Sequence, residues 1–124
     1  MLIDTPAQQQ VALLAVSVEN GCDFCVVAHR AIGKMKQTKQ QTLDALNENG
    51  VIECSQDAAL VSFVKAVVKD RGRLSEHKIE AFLSAGFTKQ QMFEVMIIVS
   101  IKTLSNYINH LTNTEINAEL LSLV

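Results

Sequence analysis

Two cysteines and a histidine at helical spacing are the residues of this chain whose types and positions could do chemistry. Cys22 and Cys25 form a CxxC pair, and His29 follows four residues later. Residues three and four apart share one face of an α-helix, so a helix here would align all three side chains. We call this set the CxxCxxxH stripe. In a reducing compartment such a pair is typically redox-active or metal-binding.

The spacing distinguishes the two thiols. A thiol reacts as its thiolate, and a helix N-terminus stabilises an anion in its first turn. With a rise of about 1.5 Å per residue, His29 lies roughly 6 Å along the axis from Cys25 and more than roughly 10 Å from Cys22. Helical side chains lean towards the N-terminus, which brings the imidazole onto Cys25. We therefore predict that Cys25 is the activated nucleophile.

Cys22 is then placed to react with an oxidised Cys25. The Cα atoms of residues three apart on a helix lie within the range that a disulfide tolerates. Thiolate attack on a peroxide leaves a sulfenic acid, which condenses with a neighbouring thiol. The pattern suits peroxide reduction or thiol–disulfide exchange. Two alternatives stay open: a zinc site, for which the sequence offers no second ligand pair, and a packed structural pair of cysteines.

The composition is that of a chain able to bury a core. The 124 residues are 48% hydrophobic and 19% charged, with a formal net charge of −2. One domain over residues 1–124 is expected, burying roughly two-thirds of the surface that the unfolded chain exposes. The basic residues are scattered, so we expect neither a nucleic-acid partner nor an anionic membrane. Without a leader or an apolar run of about 18 residues, the sequence predicts a soluble, cytoplasmic protein.

Helix start signals recur along the chain, and no alternating strand pattern is present. Four capping boxes begin at Thr5, Thr38, Thr88 and Thr112, and Ser55 could cap a further helix. Asn-Gly pairs at positions 20–21 and 49–50 are typical of helix C-termini. The sequence therefore predicts an all-α bundle of about six or seven helices.

Two of the predicted helices are unusually apolar. The first, over about residues 6–19, is apolar on all sides through residues 11–16, which predicts a central, buried helix. The longest, over about residues 89–111, is apolar through most of its length. A chain this small has few elements to cover the long helix, which favours an oligomer interface on it.

With the CxxCxxxH stripe following an apolar helix, the sequence resembles the carboxymuconolactone decarboxylase and AhpD-like alkylhydroperoxidase family. The resemblance covers residues 13–29, and residues 106–111 with Thr114 are similar to the C-terminal segment of its peroxidase-related branch. It implies an all-α fold that forms homo-oligomers, commonly trimers or hexamers. It also implies an antioxidant hydroperoxide reductase, with no cofactor expected, recycled by a thioredoxin-like or lipoyl dithiol protein.

Carried over to this chain, the family's roles make Cys25 the peroxidatic cysteine, Cys22 the resolving cysteine and His29 part of a proton relay. The family usually has a glutamate twelve residues before the first cysteine, where this chain has Gln10. A glutamine can orient a histidine but cannot accept a proton as a carboxylate does. The sequence therefore predicts either a weak peroxidase or one in which Glu19 substitutes for the missing carboxylate.

The remaining candidates lie away from the stripe. His110, near the end of the long helix, either interacts with the helix C-terminus or contributes to the site, across a subunit interface in the latter case. His77 is expected to be solvated and Cys54 to be an unpaired structural thiol. Besides hydroperoxide reduction, three functions stay open: a thiol–disulfide oxidoreductase or redox sensor, the family's lactone decarboxylation, and a non-catalytic oligomeric binding module.

Overall fold

The computed structural model describes residues 5–124, and over that range it contains seven helices and no strand. The prediction of an all-α bundle of six or seven helices is therefore confirmed. The helices are α1 (Pro6–Glu19), α2 (Asp23–Met35), α3 (Gln40–Glu48), α4 (Ser55–Asp70), α5 (Glu76–Ser84), α6 (Lys89–Thr112) and α7 (Ala118–Leu121).

Helix α1 is the centre of the bundle, as its uniform apolarity predicted. It packs against α2, α3, α4 and α6. Its side chains Val11, Leu14 and Val16 are almost fully buried. Burying a side chain of this size stabilises the fold by about 1.5–3 kcal/mol relative to leaving it exposed. Truncating Leu14 to alanine would cost about 2–5 kcal/mol, because surrounding helices close such a cavity only in part.

A tight turn joins α1 to α2 and places Cys22 at the start of α2. Gly21 has a φ of +68°, a left-handed conformation that glycine adopts without steric cost. The Gly21 N–H donates to the Val18 carbonyl at 3.1 Å, and the Cys22 N–H donates to the Ser17 carbonyl at 3.0 Å. These two bonds form a Schellman motif, which ends α1 at the predicted Asn20 and Gly21. Cys22 thereby becomes the N-cap of α2.

One of the four predicted capping boxes is complete. The Thr88 hydroxyl accepts from the Gln91 N–H at 3.1 Å, and Gln91 Oε1 accepts from the Thr88 N–H at 2.8 Å. The box at Thr5 is half formed, because its hydroxyl accepts from the Gln8 N–H at 3.1 Å. The Gln8 side chain instead donates to Gln56 Oε1 at 2.9 Å, which ties α1 to α4. A tertiary contact has replaced the second half of this cap.

The other two boxes were wrong. The Thr38 hydroxyl donates to the Ala7 carbonyl at 3.2 Å, and α3 begins without a side-chain cap. Thr112 is the last residue of α6 rather than the cap of the next helix. Ser55 is the first residue of α4, whose N-cap is Cys54. The Thr38 hydroxyl is taken up by a competing backbone carbonyl. Helix α6 extends through Thr112, further than its polar C-terminal sequence indicated.

One face of α6 is uncovered. Six large apolar side chains, three or four residues apart, are 47–87% exposed; they are Phe93, Ile97, Ile101, Leu104, Ile108 and Leu111. We call this set the α6 stripe. It is the surface on which the predicted oligomer interface would form, and that interface stays a prediction. Within the part of the chain that the structure describes, no helix is long and apolar enough to cross a membrane.

Candidate active site

The first turns of α2 carry the CxxCxxxH stripe into the interior. Cys22 is the N-cap, and Cys25 is the third residue of a helix that begins at Asp23. Both cysteines are free thiols, with 2% and 1% of their surface exposed. His29, one turn further along the helix, is 9% exposed. The stripe therefore lies on one helix, as its spacing predicted, and is closed off from solvent.

The surroundings of Cys25 favour its thiolate. The side-chain amide of Asn109 on α6 donates to Cys25 Sγ at 3.3 Å. Burial alone would raise the pKa of Cys25, but hydrogen bonds from Cys22 and Asn106, with the charge and hydrogen bond of Lys102, outweigh it and lower that pKa below its ordinary value. The first-turn position adds the partial positive charge of the helix N-terminus.

Cys22 has the opposite tendency. Burial raises the pKa of Cys22, and the side-chain hydrogen bond to Cys25 raises it further. Its extended N-cap backbone places it outside the first turn, and its side chain makes no capping hydrogen bond. The pair thus combines one thiol whose pKa is lowered with one whose pKa is raised.

Gln10 on α1 orients the histidine. Gln10 Oε1 lies 2.9 Å from His29 Nδ1. A carbonyl oxygen only accepts hydrogen bonds, so Nδ1 carries the proton and Nε2 is the basic nitrogen. Burial, and then the charge of Lys102, lower the pKa of His29 from 6.5 to about 4. The imidazole is therefore neutral at physiological pH.

Lys102 is a residue of this site that the sequence reasoning missed. It lies on α6, is 9% exposed, and acts through its charge on both Cys25 and His29. The sequence predicted that His29 activates Cys25, but the groups that lower the pKa of Cys25 are Cys22, Asn106 and Lys102. The sequence does contain a pattern that points to Lys102. Lys102, Asn106 and Asn109 are four and three residues apart, a polar line on one face of an otherwise apolar helix.

A buried amide network ties α1 to α6 beside the cysteines. Asn106 is fully buried, and its Nδ2 donates to Ser17 Oγ at 3.3 Å. Its Oδ1 accepts from Asn20 Nδ2 at 3.1 Å, and the same Asn20 amide group donates to Thr103 Oγ1 at 3.2 Å. Buried and satisfied polar groups of this kind hold one arrangement of their helices. The network therefore fixes the polar line of α6 against the turn that carries Cys22.

Two of the predicted supporting residues lie apart from this cluster. Glu19 is exposed at the end of α1, and none of the hydrogen bonds and ion pairs within residues 5–124 joins it to Cys25 or His29. His110 is exposed in the last turn of α6, with its ring centroid 6.2 Å from that of Tyr107. That position is favourable for a histidine at a helix C-terminus.

The other titratable candidates are remote from the stripe. Cys54 is a half-buried free thiol at the N-cap of α4, and His77 is exposed in the first turn of α5. Across residues 5–124, no group of three or more His, Cys, Asp or Glu side chains is arranged to hold a metal ion.

Solved structures show what the chain is similar to. No protein-family model matches the sequence, and no curated protein matches it. An uncharacterized peroxidase-related protein from Silicibacter sp. TM1040 superposes with a TM-score of 0.79 at 20% identity, over 92% of this chain and 61% of that one. An AhpD core structure, an uncharacterized peroxidase-related protein from Ralstonia eutropha JMP134, gives 0.83 at 27% identity, over 97% and 66%.

The predicted resemblance to AhpD-like, peroxidase-related proteins is therefore confirmed. This chain spans about two-thirds of the length of each of these two proteins. The chain therefore has an AhpD-like fold, with the Cys22 and Cys25 pair at the start of α2.

Proposed function

We propose that the protein is a CxxC-dependent hydroperoxide reductase in which Cys25 attacks the peroxide and Cys22 resolves the product. One observation carries the proposal: Cys25 lies in the first turn of α2 and its Sγ accepts from the Asn109 side-chain amide at 3.3 Å, whereas Cys22 lies beside it at the N-cap. The pKa of Cys25 is lowered by its hydrogen-bond partners and by Lys102, and the pKa of Cys22 is raised by burial. A peroxidatic cysteine must be a thiolate when the peroxide arrives, and a resolving cysteine has no such need. The names of the two similar structures support the same class of reaction.

The reaction has two steps on the protein. The Cys25 thiolate attacks one peroxide oxygen, so that an S–O bond forms, the O–O bond breaks, and the distal oxygen leaves with a proton as an alcohol. Cys25 is now a sulfenic acid. Cys22 then attacks the sulfenic sulfur, an S–S bond forms, and water leaves. An external dithiol reduces the disulfide by exchange and is itself oxidised.

His29 acts in this scheme as a neutral base. Since Gln10 accepts from Nδ1, the free lone pair is on Nε2, where it can take the proton that the Cys25 thiol loses when it becomes a nucleophile. With a carboxylate at position 10, the imidazolium formed would be stabilised by charge. With the amide it is stabilised by a hydrogen bond alone, which makes the transferred proton more acidic and limits how long His29 holds it.

Burial of the thiols sets a condition on catalysis. Cys22 and Cys25 expose 2% and 1% of their surface, so a peroxide reaches Sγ only when the helices around the site open. Small hydroperoxides need the smallest opening and are expected to react fastest. We also propose that the protein works as a homo-oligomer, commonly a trimer or hexamer in the family it resembles, with the α6 stripe buried between subunits. A reducing compartment such as the cytoplasm would supply a thioredoxin-like or lipoyl protein as the dithiol donor.

The test is peroxide consumption by the purified protein with a small dithiol as reductant. Wild type should consume an organic hydroperoxide continuously, and Cys25→Ser should not. Cys54→Ser is the matched control, because it removes a thiol at the N-cap of α4, away from the stripe. Continued turnover by Cys25→Ser would contradict the proposal that Cys25 attacks the peroxide.

The same burial favours a second candidate, a thiol–disulfide redox sensor without sustained turnover. A closed pair is oxidised slowly and is shielded from a bulky protein reductant. The two candidates differ in a measurable way. A reductase goes through many cycles when a dithiol is present, whereas a sensor forms its disulfide once and stays oxidised.

A further inference from the structure

Lys102 is a largely buried lysine that forms no ion pair with a carboxylate in the part of the chain that the structure describes. The ion pairs formed within residues 5–124 are Arg30 with Asp44 and Lys78 with Asp70, each at 3.3 Å, and Lys102 belongs to neither. It is 9% exposed. Lysine is rarely buried to this extent unless it is paired, because burial removes part of the hydration of its charge. Its charge contributes to the lowered pKa of Cys25 and to the lowered pKa of His29.

Lys102 lies on the face of α6 that contacts Cys25. Lys102, Asn106 and Asn109 follow each other on one helix face, and Asn109 Nδ2 donates to Cys25 Sγ at 3.3 Å. Asn106 is locked against α1 through Ser17. Three polar side chains of one helix face therefore lie on the side of α6 that contacts Cys25, and only the lysine carries a charge. An anion at Cys25 is the counter-ion that this arrangement fits.

We propose that Lys102 is a catalytic residue of the peroxide reaction, holding Cys25 as a thiolate and protonating the oxygen that leaves when the O–O bond breaks. This inference rests on the proposed hydroperoxide reductase function. In the balanced step, Cys25–S⁻, ROOH and Lys102–NH₃⁺ give Cys25–SOH, ROH and Lys102–NH₂. The peroxide accepts two electrons from sulfur, and its distal oxygen takes the proton from Nζ. Lys102 recovers a proton from solvent before the next cycle.

The assignment accounts for the amide at position 10. A protonated histidine could supply the same proton, but Gln10 gives an imidazolium no opposite charge, and the nearby Lys102 repels it. The site therefore holds one positive charge, and that charge is on the lysine. His29 is left neutral, with Nε2 free to accept a proton.

Three variants separate the two parts of the role. Lys102→Met removes the charge with an unbranched side chain of similar length. Lys102→Arg keeps the charge, but a guanidinium stays protonated and cannot serve as a proton donor. Lys89→Met is the matched control, since Lys89 is exposed at the start of the same helix, roughly 20 Å along its axis from Lys102. Thermal unfolding of each variant shows that the fold is retained.

The decisive comparison uses two oxidants in single-turnover reactions without a reductant, with Cys25 oxidation followed by quenching and mass spectrometry. tert-Butyl hydroperoxide releases an alkoxide, which needs a proton, whereas peracetic acid releases a carboxylate, which does not. Lys102→Met should react slowly with both oxidants. Lys102→Arg should react with peracetic acid at the wild-type rate and lose about 10²-fold with tert-butyl hydroperoxide. The control should match wild type with both.

A second readout addresses the thiolate alone. The rate of Cys25 alkylation by iodoacetamide is followed against pH; its midpoint should lie at higher pH in Lys102→Met and stay in place in Lys102→Arg and Lys89→Met. Wild-type rates and midpoint in Lys102→Met would overturn the assignment, and equal losses with both oxidants in Lys102→Arg would overturn the proton donation. A wild-type protein inert to both oxidants would overturn the hydroperoxide reductase function itself, with the alkylation midpoint still deciding whether Lys102 holds the thiolate.

Discussion

Replacing Gln10 by glutamate should raise the pKa of His29. The pKa of His29 is lowered to about 4 by burial and by the charge of Lys102, and its Nδ1 lies 2.9 Å from Gln10 Oε1. Gln10→Glu puts a carboxylate at the same distance with almost no change in shape. An opposite charge within about 4–6 Å shifts a pKa by roughly 1–3 units. The pKa of His29 should therefore move to between about 5 and 7.

The measurement is an NMR titration of the imidazole C2 proton signals. The chain has three histidines, and the exposed His77 and His110 serve as internal references. Gln10→Leu is the matched control, because it removes the hydrogen bond without adding a charge, so His29 should still titrate near 4. A His29→Gln variant assigns the signal by its disappearance.

Two results would refute this reasoning. A wild-type His29 that titrates at its ordinary pKa would mean that burial and Lys102 do not act on it as the structure indicates. An unchanged pKa in Gln10→Glu would mean that residue 10 does not contact the imidazole in solution. Either result would contradict the proposed effect of Gln10 on proton transfer by His29.

The other expected outcomes are as follows. Cys22→Ser should reduce about one equivalent of peroxide and then stop, because Cys25 is oxidised but not resolved, as measured by peroxide consumption without turnover. Asn106→Leu should lower the free energy of unfolding in urea by about 1–3 kcal/mol, since a fully buried amide loses its partners. The free energy of unfolding should fall by about 3 kcal/mol between pH 6.5 and about 4, because His29 protonates in the unfolded chain before it does in the folded one. Ile101→Glu, in the middle of the α6 stripe, should prevent self-association in sedimentation measurements.

Each of these outcomes has a clear opposite. Sustained turnover by Cys22→Ser would assign the resolving role to another thiol, and unchanged stability in Asn106→Leu would remove the buried network from the account. A His29→Gln variant should lose its part of the acid-induced decline, so an identical decline would assign it to other groups. If wild type sediments as a monomer, the α6 stripe is not an interface between copies.

Most of the fold could be read from local sequence. The central position of α1 followed from a segment that is apolar all round, and its end followed from Asn20 and Gly21, because only a left-handed residue closes that turn. The capping errors had a different origin. The side chains of Thr38 and Gln8 hydrogen-bond to partners distant in the chain, and such tertiary competition leaves no local signal.

The site residues that lie on α2 were predicted from the sequence, but those that α6 contributes were not. The stripe from Cys22 to His29 is a periodicity within α2, which the sequence displays directly. Asn109 on α6 donates to Cys25 Sγ, and the charge of Lys102 on the same helix lowers the pKa of Cys25. Which group these side chains meet is set by how α6 packs on the bundle. A lysine within an apolar stretch of a helix signals a buried charge, but not the identity of the group that balances it.

The most direct test of the central claim is mass analysis of the cysteines before and after one addition of hydroperoxide, with denaturation and alkylation in the quench. The account predicts that all three cysteines are alkylated beforehand, since all are free thiols. Afterwards Cys54 alone should be alkylated, with Cys22 and Cys25 joined in an internal disulfide that a dithiol reverses. Alkylation of all three cysteines after peroxide, or a disulfide that includes Cys54, would contradict the assignment.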